Sequence, residues 1–213
     1  VKVIMHIKRF PLGMLWTNCY LIWDDEDNGF AVDPGGPAQE VIDFINMHHI
    51  KLDMVLLTHG HNDHIAGVEE LRGIAAHGVA IHEDDAGCLE DPSRNLSTMM
   101  GELVSVHKAD RLLHDGDKLT VGKMTLDVIH TPGHTPGGIS VIVSDGEEKI
   151  MLSGDTLFAR SVGRSDLPGG DEEVLLESLK KFENLPDCMR VLPGHGPETT
   201  IGAERAHNPF WPR

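Results

Sequence analysis

A short segment in the first third of the chain concentrates side chains that bind metal ions. Residues 58–64 read Thr-His-Gly-His-Asn-Asp-His and carry three imidazoles and one carboxylate. Such groups are the usual protein ligands of zinc and of other first-row transition metals. On an extended turn, His59 and His61 point to the same side and can chelate one ion. Asp63 and His64 fall at the start of a predicted helix and can face a second point nearby. We therefore interpret the segment as a metal-binding motif rather than a solvated polar loop.

Three later residues could complete such a site, because each follows a predicted strand in a turn rich in glycine or proline. They are His134, Asp155 and His195. Scaffolds commonly present functional side chains in loops of this kind. Taken singly, each also fits an ordinary turn residue or a cap. Together with the motif they make five histidines and two aspartates, a set that fits two metal ions sharing one bridging carboxylate.

The elements that must position these residues are predicted from the apolar patterns. We expect strands at residues 1–8, 20–23, 29–32, 53–57, 79–82, 112–113, around 119, 124–130, 139–143, 149–153 and 190–192. We expect helices at residues 38–48, 65–76, 83–89, 171–183 and 199–206, and a polar loop at residues 92–101. Both halves are rich in strands, and no linker separates them. The sequence therefore predicts one mixed α/β domain over residues 1–213, with two sheets packed together and covered by helices.

The charge balance argues against several classes of partner. The 213 residues include 18 Lys and Arg against 34 Asp and Glu, for a formal net charge of −16. A surface that acidic disfavours broad binding to nucleic acid or to anionic membranes. No apolar run approaches the ~18 residues of a membrane helix, and the first residues lack the features of a signal peptide. Three cysteines are too few for a disulfide framework. We expect Cys19 and Cys188 to be core residues, Cys88 to be structural, and the protein to be cytoplasmic.

The motif and the order of the later histidines and aspartate resemble the metallo-β-lactamase fold superfamily, whose H-x-H-x-D-H pattern occurs at residues 59–64. Within it, the sequence is most similar to the short glyoxalase II-like hydrolases. Residues 162–166 (Val-Gly-Arg-Ser-Asp), 192–200 (Leu-Pro-Gly-His-Gly-Pro-Glu-Thr-Thr), 201–204 and 208–209 carry this closer match. The resemblance implies an αβ/βα four-layer sandwich of two mixed sheets flanked by helices, with the metals at one edge.

The resemblance also implies a role for each candidate residue. One metal ion would be held by His59, His61 and His134, and the other by Asp63, His64 and His195. Asp155 would bridge the two ions. Asp63 and Asp155 are the candidate catalytic carboxylates. Asp33 and Thr58 would hydrogen-bond the ligands and fix their orientation. Two divalent ions are expected, zinc first, with iron or manganese as alternatives because these ligands suit all three.

The implied reaction is hydrolysis of a small-molecule thioester of the acylglutathione type. A hydroxide bridging the two ions would attack the carbonyl, because a metal ion acidifies the water bound to it. Arg164 follows Asp155 by nine residues and could grip a substrate carboxylate. An ordinary salt bridge, with Asp166 or Asp171, is an equally weighted alternative for Arg164.

Two further expectations concern how a substrate would be held. Met14, Leu15 and Trp16 are apolar where a loop is usually polar, and we expect them to line the substrate entrance rather than cover the core. Full-length glyoxalase II enzymes carry a C-terminal helical domain that contributes to glutathione binding. Only 18 residues follow His195, so we expect that domain to be absent and hydrolysis to be slow and permissive.

Three other functions compete with this interpretation. A persulfide dioxygenase with a similar Gly-Arg-x-Asp loop would hold one iron on His59, His134 and Asp155, although the Pro-Gly-His-Gly-Pro stretch at residues 193–197 looks hydrolase-like. A nucleic-acid-processing enzyme is disfavoured by the net charge. A metal-free binding protein is disfavoured by the intact ligand set. No feature of the sequence indicates an oligomeric state.

Overall fold

The alternating apolar residues of the N-terminal half form a six-stranded sheet in the structure, a computed structural model that describes residues 5–212. The strands, in chain order, are β1 (His6–Leu12), β2 (Thr17–Trp23), β3 (Asn28–Val32), β4 (Lys51–Leu56), β5 (Val79–His82) and β6 (Arg111–Leu113). The first three pair antiparallel, and β3 to β6 pair parallel. This first sheet is therefore mixed, and its parallel strands all end at the same edge.

The C-terminal half forms a second mixed sheet. Its strands are β7 (Lys118–Val121), β8 (Met124–His130), β9 (Ile139–Ser144), β10 (Lys149–Gly154), β11 (Leu157–Phe158), β12 (Ser161–Val162), β13 (Arg190–Pro193) and β14 (Thr199–Thr200). Six of them make the sheet in the order β14-β13-β10-β9-β8-β7, and β11 with β12 forms a separate hairpin. Only β10 and β13 pair parallel in this sheet.

Helices cover the outer faces of both sheets. They are α1 (Gln39–His48), α2 (Asn62–Ile65), α3 (Val68–Arg72), α4 (Ser97–Met100), α5 (Glu172–Lys180) and α6 (Ile201–His207), with a 3₁₀ helix at Glu83–Cys88. Asp171 caps α5 by accepting the backbone N–H of Val174 at 3.1 Å, and Thr200 caps α6 by accepting that of Ala203 at 3.2 Å. Such caps satisfy backbone donors that the first helical turn leaves unpaired.

The apolar alternation of the strands separates three cores. Leu56 of β4 points into the core between the two sheets, whereas its neighbour Val55 points into the core under α1 and α3. On the far side, Val191 of β13 packs with residues of α5 and α6. Successive side chains of a strand face opposite sides, so each sheet is buried on both faces. The expected four-layer sandwich of two mixed sheets flanked by helices is confirmed.

Several expected boundaries were wrong. The helix expected at residues 65–76 is split into α2 and α3 around Gly67, whose N–H donates to the Pro34 carbonyl at 2.7 Å instead of continuing the helix. The loop expected at residues 92–101 contains the single turn α4. The first strand begins at His6 and continues to Leu12, and residues 1–4 of the expected strand lie outside the described residues. Cys188 is exposed in the turn before β13, not in the core.

Between residues 5 and 212, none of the helices has both the length and the apolar character needed to cross a membrane.

Candidate metal centre

The predicted ligands lie where strands of both sheets end. β4 of the first sheet leads into the histidine motif. In the second sheet, β8 and β10 are both antiparallel to β9, and β13 is parallel to β10, so all three end at one edge. The loops after these strands carry His134, Asp155 and His195. The structure brings these three residues and the four residues of the motif together at the junction of the two sheets. Their role as metal ligands stays a prediction.

His59, His61 and His134 form the first donor group. Nδ1 of His61 lies 3.0 Å from Nε2 of His134. The ring of His59 stands nearly perpendicular to both, with its centroid 4.8 Å from each. All three residues are buried. Three imidazole nitrogens converging in this way suit one transition-metal ion.

Asp63, His64 and His195 form the second donor group. Oδ2 of Asp63 lies 3.1 Å from Nε2 of His195 and 3.6 Å from Nε2 of His64. The two Nε2 atoms of His64 and His195 are 3.3 Å apart. These atoms therefore face a common point, as expected for a second ion.

Asp155 lies between the two groups. Its Oδ2 is 3.5 Å from Nε2 of His134 in the first group and 3.5 Å from Nε2 of His195 in the second. Its Oδ1 is 3.5 Å from Nε2 of His64. A carboxylate in this position could contact an ion in each donor group, and the role of Asp155 as the shared ligand stays a prediction.

Hydrogen bonds to the Nδ1 atoms of four histidines turn their Nε2 atoms toward the donor groups. The Thr58 hydroxyl donates to Asp33 Oδ2 at 2.6 Å and can therefore accept from Nδ1 of His59 at 3.1 Å. His64 Nδ1 donates to Asp33 Oδ2 at 2.9 Å. His134 Nδ1 donates to the carbonyl of Arg164 at 2.7 Å, and His195 Nδ1 donates to that of Leu15 at 3.2 Å. This pattern fixes the tautomer that metal-binding imidazoles require, and the role of Asp33 and Thr58 in orienting metal ligands stays a prediction.

The buried atoms left without hydrogen bonds test whether metal ions fit here. Among the described residues, His59 Nε2 and Asp155 Oδ1 are buried and have no hydrogen-bond partner. Buried polar atoms are almost always satisfied. An unprotonated imidazole nitrogen and a carboxylate oxygen are both metal donors, so the residues present fit divalent ions.

The electrostatics of the two groups differ. Burial lowers the pKa of His59 well below its usual value and lowers the pKa of His61 to about 3, so both are neutral ligands. Burial also lowers the pKa of His64, but Asp155 and other nearby carboxylates outweigh it and hold this pKa well above the usual value. Burial raises the pKa of Asp63, but His64, His195 and His61 together outweigh burial, so the pKa of Asp63 is low. A metal ion at the second group would therefore displace a proton.

Two residues that the sequence analysis missed hold the ligand loops in place. The buried side chain of Asp85 accepts the backbone N–H of Gly60 at 2.9 Å and that of Gly137 at 2.6 Å. It thus ties the motif loop to the loop that carries His134. Thr17 donates its hydroxyl to Asp63 Oδ2 at 3.3 Å. Asp85 stands in the run Glu-Asp-Asp, which resembles a solvated acidic turn and gave no signal.

A cleft of about 520 Å³ opens above the donor atoms. Leu15 lines it, and Met14 lines the adjoining groove, as expected for an entrance. Trp16 is exposed and lines neither. Arg164 also lines the cleft, but its guanidinium donates two 2.8 Å hydrogen bonds to Asp166. The structure thus shows the salt bridge, while the expected contact between Arg164 and substrate stays a prediction.

Comparisons with known proteins agree with this geometry. The family model of the metallo-beta-lactamase superfamily matches residues 13–195. The chain is 38% identical over 208 residues to the probable metallo-hydrolase YqgX of Bacillus subtilis, covering 97% of both chains. It is 36% identical over 211 residues to the hydroxyacylglutathione hydrolase GloC of Haemophilus influenzae, covering 97% of this chain and 98% of that protein.

Two solved structures are similar over nearly the whole chain. The BLEG-1 B3 metallo-beta-lactamase superposes with a TM-score of 0.89 at 38% identity, covering 96% of this chain and 99% of that one. TTHA1623 in a di-iron-bound form superposes with a TM-score of 0.84 at 35% identity, covering 95% and 99%. The residues matched by the family model, the fold and the His/Asp clusters show that the chain belongs to the metallo-beta-lactamase superfamily.

Proposed function

We propose that this chain is a thioester hydrolase of the glyoxalase II type that acts on acylglutathione-like substrates with two divalent metal ions. The observation that carries the proposal is the pair of donor groups on either side of Asp155. One ion would be held by His59, His61 and His134, and the other by Asp63, His64 and His195. Zinc is the first candidate, and the di-iron form of TTHA1623 makes iron a real alternative.

Bound divalent ions supply an acidified water and polarise the carbonyl to be attacked. The chain's own residues would supply charged ligands in a fixed orientation. Asp63 and Asp155 both have lowered pKa values, because nearby histidines outweigh the effect of burial, so both are carboxylates at neutral pH. Asp63 Oδ2 also accepts the Thr17 hydroxyl, which fixes its orientation.

The two buried cysteines give no support to a cysteine nucleophile, and the third, Cys188, is exposed in the turn before β13 and does not line the cleft. Burial is the main cause that raises the pKa of Cys88, to about 12, and burial raises that of Cys19 further still. The thiolate is the nucleophilic form of cysteine, so both thiols are unreactive at neutral pH. Hydrolysis by this chain would therefore depend on the donor groups described above.

The Haemophilus relative supports a thioester as the substrate. It is named a hydroxyacylglutathione hydrolase, and the alignment covers 98% of it. That name supports an acylglutathione substrate for this chain. BLEG-1, named a B3 metallo-beta-lactamase, makes amide hydrolysis the neighbouring reaction to test.

The dioxygenase alternative would need only His59, His134 and Asp155. The second donor group favours hydrolysis over it, because Asp63, His64 and His195 face a common point instead of turning away. The two functions are separated by one set of assays on metal-loaded protein. We expect two metal ions per chain by elemental analysis, hydrolysis of S-lactoylglutathione, and no oxygen uptake with glutathione persulfide.

The same assays on Asp155→Ala test the proposed role of the shared carboxylate. We expect loss of hydrolysis and of at least one metal ion per chain. Asp145→Ala is the matched control, since Asp145 is equally buried but lies in the turn between β9 and β10. One ion per chain with oxygen uptake in the native protein would overturn the proposal.

A further inference from the structure

Exposed apolar side chains gather beside the metal cleft. Among residues 5–212, five of the eleven exposed large apolar side chains line this cleft or the groove that adjoins it: Met14, Leu15, Met99, Met100 and Leu103. We call these five residues the apolar rim. Leu15 and Met100 line both the cleft and the groove that adjoins it. An apolar surface concentrated at a site, rather than scattered, marks a binding surface.

The segment that carries three of the five rim residues is held against the metal motif by hydrogen bonds of Asn95. The buried side chain of Asn95 donates to the carbonyls of Cys88 at 3.0 Å and Val104 at 2.8 Å. Its backbone carbonyl accepts the N–H of Asn62, within the motif, at 2.8 Å. Met99, Met100 and Leu103 are therefore presented by residues 96–103 next to the donor groups.

A further set of apolar side chains also lines the cleft. Phe158, Val162 and Leu167 line it, and Phe158 and Val162 belong to the β11–β12 hairpin. The ring of Phe158 stands edge-on to His195, with 6.2 Å between centroids. A group lying in the cleft would thus have hydrocarbon to contact beyond the rim itself.

The protein's own charges around the cleft offer few partners to substrate carboxylates that lie away from the metal centre. Of the described residues that line the cleft or the groove, Arg164 is the only lysine or arginine, and Asp166 takes two of its donors. The groove carries Glu69, Glu70 and Glu102. Carboxylates of a substrate would find few cationic partners here, whereas hydrocarbon would find the rim.

We propose that the apolar rim binds a hydrocarbon chain or ring of the substrate, so that the preferred thioester is apolar beside the reacting carbonyl. The inference rests on the proposed thioester hydrolysis and assigns the chemistry of the group next to the scissile bond. That group belongs either to the acyl part or to the thiol part, and both fit the same surface.

The test varies each part separately. The first arm compares the acetyl and hexanoyl thioesters of the neutral thiol N-acetylcysteamine. The second arm keeps the acetyl group and compares its thioesters with N-acetylcysteamine and with hexanethiol. We expect kcat/KM to rise tenfold or more in one of these two arms, because added methylenes leave water. The same two acyl groups on glutathione show whether the peptide adds to the effect.

A binding readout separates this inference from hydrolysis itself. The thioethers of N-acetylcysteamine bearing ethyl or hexyl groups resist hydrolysis, and calorimetry gives their affinities for metal-loaded protein. If a hexyl group improves affinity tenfold while no thioester is hydrolysed, the proposed function fails and the apolar subsite stands. Equal affinities together with equal kcat/KM values in both arms would overturn the inference.

The double variant Met99→Ser/Met100→Ser identifies the surface. It should reduce the hexanoyl-to-acetyl ratio, or the hexyl-to-ethyl ratio of affinities, at least fivefold with metal content unchanged. Met47→Ser is the matched control, because Met47 is 73% exposed on α1 and lines neither cleft nor groove. Leu15→Ser serves if the double variant does not fold. A dimer that the double variant dissociates would show that the rim binds a second copy instead, and would also overturn the inference.

Discussion

Among single residues, Gly194 determines how closely the loop after β13 approaches the donor groups. A Cβ at this position would lie 2.3 Å from Asp155 Oδ1 and 2.7 Å from Cε1 of His64. The absence of a side chain therefore lets His195, the next residue, reach both Asp63 and Asp155. The Pro-Gly-His turn therefore requires glycine at this position for a steric reason, and not only because glycine is common in loops.

Replacing Gly194 by alanine should disrupt the second donor group. We expect Gly194→Ala to lose at least one metal ion per chain by elemental analysis and to lower hydrolysis at least tenfold, since the added methyl displaces Asp155 or His64. Gly73→Ala is the control, because a methyl group added at Gly73 would have no atom within 4 Å and the φ of this residue is −62°. Full metal content in Gly194→Ala would show that the loop moves away freely.

Arg164 is a second single residue whose role can be tested. Its exposed ion pair with Asp166 should contribute little to stability, since such pairs are worth roughly 0–1 kcal/mol. If the ion pair with Asp166 is the whole role of Arg164, Arg164→Ala should change KM for S-lactoylglutathione less than about fivefold, which corresponds to about 1 kcal/mol. Steady-state kinetics beside Asp166→Ala check this. A much higher KM with unchanged kcat in Arg164→Ala alone would show that the guanidinium leaves Asp166 for the substrate.

Among the elements, the 3₁₀ helix at Glu83–Cys88 matters most to the site because it carries Asp85. We expect Asp85→Ala to weaken metal binding about 10–100-fold, as for other residues that orient ligands. Removing the acceptor also leaves two buried N–H groups unpaired, at a cost of roughly 1–3 kcal/mol each. Competition with a chelator and thermal unfolding measure the two effects. Asp84→Ala, next in sequence and more exposed, should do neither.

The elements also show what the sequence could and could not predict. β5 and β8 were placed at their observed bounds, because their apolar runs end at clear polar turns. The β11–β12 hairpin was missed, since two-residue strands have no periodicity. The seven candidate ligands were identifiable because each has a metal-binding side chain after a strand. Asp85 and Thr17 were not, since they act through hydrogen bonds across the fold and their neighbours in sequence give no pattern.

For the whole molecule, a rise in pH should lower the stability of the metal-free protein and increase the stabilisation that a bound metal ion provides. Burial lowers the pKa of His64, but carboxylates including Asp155 and Asp33 hold it above the usual value. In metal-free protein, this stabilisation is fully present below the unfolded pKa of about 6.5 and is lost as pH rises through the raised folded pKa. A metal ion must displace the proton, so its own stabilisation grows over that same pH range.

Thermal unfolding from pH 5.5 to 9 at fixed free zinc measures this difference. We expect the gap in Tm between metal-loaded and metal-free protein to widen as pH rises. Asp33→Asn removes one carboxylate from His64, so its gap should level off at lower pH. A gap independent of pH in the native sequence would mean that no proton leaves the second donor group on metal binding.

The distribution of the donors over both sheets has a consequence for the order of folding. His61 and His134 are 73 residues apart in the chain, and His64 and His195 are 131 apart. Contacts between such distant residues form late, because long loops must close first. During synthesis, His195 is also the last donor to leave the ribosome. The second donor group can then capture an ion only after β13 has docked, so the metal identity would be decided by the ions available to a chain whose sheets have already formed.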